Sequence, residues 1–243
     1  MDGGPRVAII TGGSGGIGLA VGRLLAERGY DVVLTARTEA TLRAAGEGIG
    51  ARWVAADSAD PAAFAAVVAE AGRVDLLVHA AGVMQGTFVR KEDLATFEGV
   101  LRTNLTSAFV VSAACLPVMG PGGRIVFLSS SSAHAPQPGR SAYSASKAGL
   151  NAFAAALAQE VERDGIGVHL VTTGPVATPM LDDVHFPMRT LAVDDVARTV
   201  AWLDTLPPNV VLPEVQVSSV DQGPFAPELF VPEAARRLGR TEH

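Results

Sequence analysis

Short apolar runs alternate with longer segments of helical periodicity along most of the chain. The runs rich in Val, Ile and Leu predict strands at residues 7–10, 32–34, 53–55, 76–79, 125–128, 168–171 and 215–217. Segments with apolar positions three or four apart predict helices at residues 17–28, 39–45, 61–71, 93–101, 105–119, 142–163 and 193–203. Pro61 suits the first turn of its helix, and Asp60 suits the N-cap.

This alternation is typical of βαβ units on a parallel sheet. It predicts an α/β fold: a doubly wound, Rossmann-type parallel sheet of about seven strands, flanked by helices on both faces. No linker, repeat or low-complexity tract interrupts the pattern, so we expect a single domain over residues 1–243. Residues 222–243 have no clear period and are expected to form a C-terminal tail that covers a surface or a neighbouring subunit.

Composition narrows the class of protein. With 243 residues, of which 48% are hydrophobic and 18% charged, the chain can bury a core without disulfides or metals. A net charge of -6 argues against a nucleic-acid partner. The first apolar run stops at Ile10, too short for a signal peptide or a membrane span, so we expect a cytoplasmic enzyme without membrane contact.

The histidines and the single cysteine give no sign of a metal site. His79, His134, His169, His185 and His243 are scattered without paired ligand spacing. Cys115 excludes an intrachain disulfide, and its apolar helical neighbours predict an inert core thiol.

A glycine-rich segment, Thr-Gly-Gly-Ser-Gly-Gly-Ile-Gly from Thr11 to Gly18, follows the first predicted strand directly and opens a helix. Glycines let the backbone turn sharply and approach a pyrophosphate, whose charge the free amides and the positive end of the helix then meet. A merely flexible loop is the alternative, which the position between strand and helix disfavours. Gly12, Gly16 and Gly18 are the expected contacts.

A glycine-rich loop of this kind is typical of dinucleotide-binding proteins, and the end of the second strand discriminates between the two nicotinamide dinucleotides, NAD(H) and NADP(H). A carboxylate there would bind a ribose 2′-hydroxyl and repel a 2′-phosphate. Here the strand ends Thr35-Ala36-Arg37-Thr38, with no acid at its tip. The Arg37 guanidinium can bind a 2′-phosphate with charge-assisted hydrogen bonds, so we expect NADP(H) to be preferred and NAD(H) to be possible. A solvated surface arginine is the alternative.

The glycine pattern, together with Tyr143-Ser144-Ala145-Ser146-Lys147, resembles the short-chain dehydrogenase/reductase family in its compact single-domain branch. The resemblance covers nearly the whole chain, since Asp57, Asn104 and Ser130 also fall in the family's order. It implies a nicotinamide cofactor and an oxidoreductase that acts on a carbonyl or an alcohol carbon. It also places these residues at the cofactor: Gly12, Ser14, Gly16, Ile17, Gly18, Arg37, Asp57, Ala81, Gly82, Tyr143, Lys147, Val176 and Thr178.

Tyr143 and Lys147 are four residues apart in a predicted helix and therefore share one face. A nearby lysine cation favours the phenolate, which would lower the pKa of the tyrosine from its reference value of about 10. We therefore expect Tyr143 to act as the acid or base, with Lys147 tuning it and Ser130 stabilising the charge on the substrate oxygen.

The resemblance assigns the remaining roles. It implies that Asn104 takes part in a water-mediated proton relay behind Lys147, and that Lys147 contacts the cofactor ribose. The family's gap of thirteen residues to the tyrosine selects Ser130 among four consecutive serines, with Ser132 as the alternative. The segment from Thr173 to Pro179 is similar to the family's nicotinamide-side loop, in which Val176 and Thr178 would bind the carboxamide and phosphates.

Two positions depart from the family pattern. His79-Ala80-Ala81-Gly82 stands where the family often has Asn-Asn-Ala-Gly, and Thr173-Gly174 where it often has Pro-Gly. The loss of the second Asn, where Ala80 stands, puts local stability in question more than chemistry. A lone histidine at the end of a buried strand is more often structural than catalytic, so His79 has no part in the expected mechanism.

The sequence leaves the substrate open. The segment 180–190, where the family builds a substrate lid, combines apolar residues with Asp182, Asp183 and Arg189 and suits a small or medium, partly apolar carbonyl compound. Arg140 could bind a substrate carboxylate, although a solvated loop arginine is the simpler interpretation. An acyl chain carried on a protein is also compatible.

Three other functions are less compatible with the sequence. A non-catalytic nucleotide-binding regulator would not need Ser130, Tyr143, Lys147 and Asn104 together. An NAD-dependent dehydrogenase is distinguished by Arg37, and an epimerase or dehydratase usually needs a larger substrate domain. The expected small-molecule partner is a carbonyl or alcohol substrate. We also expect a second copy of the chain as a partner, because the helices at 105–119 and 148–161 are apolar on more than one face. The resemblance implies the same, since the family is usually dimeric or tetrameric.

Overall fold

The computed structural model describes residues 4–181 and 189–220. Within them, seven parallel strands form one sheet in the order β3-β2-β1-β4-β5-β6-β7. The strands are β1 Val7–Thr11, β2 Asp31–Ala36, β3 Arg52–Ala55, β4 Val74–His79, β5 Met119–Ser130, β6 Gly167–Thr173 and β7 Glu214–Val217. The predicted doubly wound α/β fold is confirmed, and each predicted strand is present.

In the same ranges seven α-helices connect the strands. They are α1 Gly16–Glu27, α2 Glu39–Ile49, α3 Pro61–Ala71, α4 Leu94–Leu101, α5 Ser107–Cys115, α6 Ser141–Glu160 and α7 Val193–Leu203. The predicted N-cap of α3 is confirmed, because Asp60 Oδ1 accepts hydrogen bonds from the amides of Ala62 and Ala63, and Pro61 opens the helix. The predicted tail at 222–243 lies outside the described residues.

Helices pack on both faces of the sheet because neighbouring strand residues point to opposite sides. Ile9 belongs to a core with Phe64 of α3 and Leu150 of α6. Ile10 belongs to a second core, which includes Leu25 of α1 and Val200 of α7. Apolar and polar residues therefore do not alternate in β1, β4 and β5, since both faces of these strands are buried.

The helix end near residue 119 was predicted wrongly. The sequence pattern extended this helix to Met119, but α5 ends at Cys115, a 3₁₀ turn spans Leu116–Val118, and Met119 already pairs with Val74 in the sheet. A proline within the last turn and the Gly-Pro-Gly-Gly sequence after Met119 end the helix early. The regular register of β5 with β4 resumes at Arg124, opposite Leu76.

A π-helical turn, Arg102–Thr106, joins α4 to α5 where the sequence had indicated a break between two helices. By length and composition the joined stretch Leu94–Val118 could cross a membrane, but core helices of soluble proteins pass the same test. Here α5 packs on β4 and beside α3, as a core helix does. The turn brings the buried Asn104 to the edge of the sheet where the strands end.

The order of the strands reverses between β1 and β4, which are neighbours in space but far apart in the chain. The loops after these two strands leave in opposite directions and open a crevice at the carboxyl ends of the strands, where ligands of such sheets bind.

Candidate active site

A cavity of about 550 Å³ opens at this edge of the sheet. From the outer strands β2 and β3 it is lined by Arg37 and Asp57, and from β5 and helix α6 by Ser130, Tyr143 and Lys147. The sheet order therefore sets the first group at one end of the cavity and the second group at the other. The fold brings together all the site residues expected from the sequence except Asn104, which lies directly behind the cavity wall.

The glycine loop, residues 12–15, turns tightly between β1 and α1. Gly12 has a φ of 66°, and a Cβ there would lie 2.9 Å from the amide nitrogen of Ala81. A Cβ on Gly18 would lie 2.4 Å from the carbonyl oxygen of Gly12. Only glycine fits either position, so bare backbone lines this part of the cavity.

Helix α1 begins at Gly16 with its N-terminal turn at the cavity. The first amides of a helix lack intrahelical acceptors and carry the positive end of its dipole. A Cβ on Gly16 would lie 3.5 Å from Cγ2 of Thr178, so the loop after β6 faces the start of α1. Backbone contacts between Pro175, Ala177 and Leu191 hold that loop in place. Two neighbouring loops thus frame a site suited to an anion.

The outer end of the cavity carries cationic groups. Arg37 is exposed, and within the described part of the chain no hydrogen bond or ion pair involves its guanidinium. Asp57 pairs with Arg102 at 2.6 Å and accepts a hydrogen bond from the amide of Ala59. Burial favours a higher pKa for Asp57, but the Ala59 hydrogen bond and the Arg102 and Arg37 guanidinium groups hold its pKa below the usual value.

Tyr143 and Lys147 point from the same face of α6, as their spacing predicts. They are only 7% and 6% exposed, and Lys147 Nζ lies 5.9 Å from the centroid of the Tyr143 ring. Nζ donates a hydrogen bond of 2.8 Å to the carbonyl of Leu128 on β5. Ser130 ends β5 beside them, and its hydroxyl accepts the amide of Ser132 at 3.2 Å. Helix and strand therefore hold three polar groups at one end of the cavity.

Burial has the largest effect on the pKa values of Tyr143 and Lys147. It raises the pKa of Tyr143, although a hydrogen bond with Ser130 and the charge of Arg140 favour a lower value. Burial also lowers the pKa of Lys147 to about 8. The pKa of Tyr143 is therefore raised in the protein without cofactor, and not lowered by Lys147 as expected, because desolvation of the phenolate outweighs the hydrogen bond with Ser130 and the charge of Arg140.

Asn104 lies in the π-helical turn and is completely buried. Its Oδ1 accepts the amide of Val83 at 2.8 Å, and its Nδ2 donates to the Val83 carbonyl and to Ser146 Oγ, both at 2.9 Å. A Cβ on Gly82 would lie 3.4 Å from Asn104 Oδ1 and 3.7 Å from Lys147 Nζ. Asn104 and Lys147 thus flank one glycine at the cavity wall.

Several contacts of the site escaped the sequence analysis. Ser146 Oγ donates to the carbonyl of Tyr143 and so joins Asn104 to α6. Arg140 Nη1 contacts the carbonyl of Met84 at 3.3 Å. The bond from Ser146 to Tyr143 is local to α6, but the contacts to Asn104 and to Met84 join distant segments, and nothing in the local pattern of serines or arginines signals them.

The apolar part of the cavity wall includes Val83, Met84, Met180 and Leu181. Residues 182–188 of the expected lid lie outside the described residues. In the described ranges no group of three His, Cys, Asp or Glu side chains is placed to hold a metal ion. Cys115 is buried, and burial raises the pKa of its thiol to about 12, which keeps it protonated.

Comparisons with known proteins place this geometry among oxidoreductases. The family model described as short chain dehydrogenase matches residues 6–187. The acetoacetyl-CoA reductase of Cupriavidus necator is 35% identical over 82% of this chain and 91% of its own length. The 3-oxoacyl-acyl-carrier-protein reductase of Escherichia coli is 34% identical over 72% of this chain and 75% of its own. The structure of a short chain dehydrogenase from Burkholderia cenocepacia in complex with NADP has a TM-score of 0.79 and 32% identity, covering 88% of this chain and 96% of that one.

Proposed function

Because the chain belongs to the short-chain dehydrogenase/reductase family, we propose that it is an NADPH-dependent reductase that converts a carbonyl compound to an alcohol. Family membership, expected from the motifs, is confirmed, and with it an oxidoreductase that acts on a carbonyl or CH–OH group. One observation carries the proposal furthest. Tyr143 and Lys147 are buried on one face of α6 beside Ser130, at the end of a cavity whose glycine loop fits a dinucleotide.

The residues present fit a nicotinamide dinucleotide. Gly12 and Gly18 let the glycine loop pack directly on neighbouring backbone, where a Cβ would collide. The start of α1, where a pyrophosphate is stabilised, then lines the cavity. We propose that Gly16, Ile17 and Thr178 bind the phosphates, with Ser14 beside them. Asp57, Ala81, Gly82 and Val176 line the rest of the path towards Tyr143 and Lys147.

Arg37 supports NADPH over NADH. Its guanidinium lines the outer end of the cavity, next to Asp57, whose charge the Arg102 ion pair offsets. A 2′-phosphate would therefore meet a cation and no unpaired carboxylate. The Burkholderia relative of similar fold holds NADP, which agrees with this preference.

A bound NADPH supplies the hydride. Tyr143 gives its phenol proton to the substrate oxygen, and the Ser130 hydroxyl donates a hydrogen bond to that oxygen as negative charge builds on it. The raised pKa of Tyr143 keeps the phenol protonated at neutral pH, ready to act as an acid in reduction. Lys147 stabilises the phenolate that remains, and water beside Lys147 and Asn104 returns a proton to it. Hydride and proton together complete the alcohol.

The substrate we propose is a ketone with an apolar body. Val83, Met84, Met180 and Leu181 offer an apolar wall beside the tyrosine. The names of two relatives, acetoacetyl-CoA reductase and 3-oxoacyl-acyl-carrier-protein reductase, point to 3-oxoacyl thioesters as the first candidates. A cytoplasmic homodimer or homotetramer without nucleic-acid or membrane partners stays a prediction.

The test follows NADPH absorbance while the purified protein meets acetoacetyl-CoA, simple ketones, diketones and keto acids. The expected result is oxidation of NADPH that Tyr143→Phe abolishes. Tyr30→Phe is the matched control, because Tyr30 is the other tyrosine of the chain and bonds Asp204 rather than lining the cavity. Equal activity in wild type and Tyr143→Phe would overturn the assigned acid, and NADPH binding without turnover of any compound would favour a regulator.

The cofactor preference is tested separately. Arg37→Ala should raise the KM for NADPH about ten- to hundredfold, the loss expected when charge-assisted hydrogen bonds disappear, and should change that for NADH little. Arg43→Ala, an exposed arginine on α2 outside the cavity wall, is the control and should change neither KM. Equal losses for the two cofactors in Arg37→Ala would refute the assignment.

A further inference from the structure

His79 is a buried polar residue for which the proposed mechanism has no use. It ends β4 with 1% of its surface exposed, and its ring packs edge-on against Phe127 of β5. Both ring nitrogens nevertheless have partners at 2.9 Å, the Thr11 hydroxyl at Nδ1 and the Ser107 hydroxyl at Nε2. A fully bonded imidazole at the carboxyl end of a central strand is therefore part of the architecture behind the cavity.

The hydrogen bonds fix one tautomer. Ser107 donates its proton to the Thr103 carbonyl at 2.6 Å, so its oxygen accepts from His79 Nε2, which must carry the ring proton. Nδ1 then accepts the Thr11 hydroxyl, whose oxygen in turn accepts the amide of Ala81 at 3.1 Å. This arrangement requires the neutral ring, and burial lowers the pKa of His79 to about 3, which keeps the ring neutral.

One ring thus ties three backbone segments together. Thr11 leads into the glycine loop, and Ala81 lies against Gly12, where a Cβ would meet its amide at 2.9 Å. On the other side, the Ser107 bond reaches Thr103 in the π-helical turn, next to Asn104. From Asn104 the bonded chain continues through Ser146 to the backbone of Tyr143.

We propose that His79 is a positioning residue of the reductase, which holds the glycine loop through Nδ1 and the Asn104 turn through Nε2. The inference rests on the proposed function, since it concerns the same reaction. It assigns separate tasks to the two nitrogens: the Thr11 bond supports the cofactor end of the site, and the Ser107 bond supports the proton-transfer end. His79 itself touches neither cofactor nor substrate.

Two amide substitutions separate these tasks. The amide of Asn reaches about as far as Nδ1, so His79→Asn can keep the Thr11 bond and loses the Ser107 bond. The amide of Gln reaches about as far as Nε2, so His79→Gln can keep the Ser107 bond and loses the Thr11 bond. Ser107→Ala removes the bond to Nε2 while His79 stays in place, so it still tests the role of that bond if the His79 variants do not fold.

The experiment measures kcat, the KM for the ketone and, independently of turnover, the Kd for NADPH by fluorescence. In His79→Asn and Ser107→Ala we expect kcat to fall about tenfold, as for the loss of one buried hydrogen bond, while Kd changes less than about twofold. In His79→Gln we expect Kd to rise about tenfold with a smaller change in kcat. The double variant His79→Asn with Ser107→Ala should lose no more kcat than Ser107→Ala alone, because that substitution has already removed the bond between Ser107 and Nε2.

His169→Gln is the matched control. His169 is a completely buried histidine on β6, bonded to Arg124 and to the carbonyl of Leu212, and it does not line the cavity. It should lose stability with kcat and Kd unchanged. If Ser107→Ala and the folded His79 variants behave like His169→Gln, His79 is only structural and the proposal is overturned. A wild type that binds NADPH but reduces no ketone refutes the proposed function instead, and the Kd of His79→Gln then still decides the role of Nδ1.

Discussion

Lys147→Met should change the pH dependence of folding stability as well as abolish turnover. Lys147 is only 6% exposed, and burial lowers its pKa from 10.5 to about 8. A shift of this size means that the folded chain carries a cost of about 3 kcal/mol at neutral pH for holding the charge there. The protein accepts this cost at the position where the proposed chemistry needs a cation.

The sign of the effect follows from proton binding. Between about pH 8 and 10.5 the unfolded chain still binds the proton that folded Lys147 has released, so the wild type gains stability as the pH rises. With these values the gain from pH 7.5 to about 9.5 is about 1.8 kcal/mol, and Lys147→Met should lack it. Lys147→Met also leaves the Leu128 carbonyl without its donor, which changes stability at every pH. The prediction therefore concerns only the slope of stability against pH.

The assay is urea unfolding of both proteins at a series of pH values across that range, with the free energy extrapolated to water. Lys91→Met is the control, since Lys91 is the other lysine of the chain and is exposed; its stability curve should run parallel to that of the wild type. Parallel curves for wild type and Lys147→Met would refute the claim that burial depresses the pKa of Lys147.

Three further outcomes are expected. Gly18→Ala should weaken NADPH binding and cost about 1–3 kcal/mol of stability, because its Cβ would lie 2.4 Å from a backbone oxygen, whereas Gly48→Ala, which meets open space, should be neutral or stabilising in the same titrations. Between about pH 6 and 7, where Lys147 keeps its proton, reduction should be nearly independent of pH, and oxidation of the alcohol should accelerate up to about tenfold per pH unit, because the raised pKa of Tyr143 leaves little phenolate; matching profiles in both directions would contradict this. On acidification from about pH 7 to 5 the wild type should lose about 2 kcal/mol more stability than His79→Asn, since the unfolded chain protonates the imidazole and the folded chain, with a pKa of about 3, does not; equal losses in urea unfolding would show that the ring is not buried as a neutral group.

The sequence by itself determined the order of the strands and helices, and which residues share a face of each element. Both are local properties of the sequence. Short apolar runs specify buried strands, and a spacing of four residues places Tyr143 and Lys147 on one side of α6. In the structure the carboxyl ends of the parallel strands meet at one edge, so the glycine loop, Arg37 and Ser130 line one cavity, as the family resemblance implied.

Only the tertiary structure decided how these groups are coupled and charged. The π-helical turn that aims Asn104 at Val83 and Ser146, and the bonds from His79 to Thr11 and Ser107, join residues far apart in the chain. The pKa of Tyr143 rises rather than falls because its burial, set by all the surrounding elements, outweighs its neighbours' charge. Periodicity records which side of an element is apolar, whereas desolvation and hydrogen-bond partners depend on what the rest of the fold places against it.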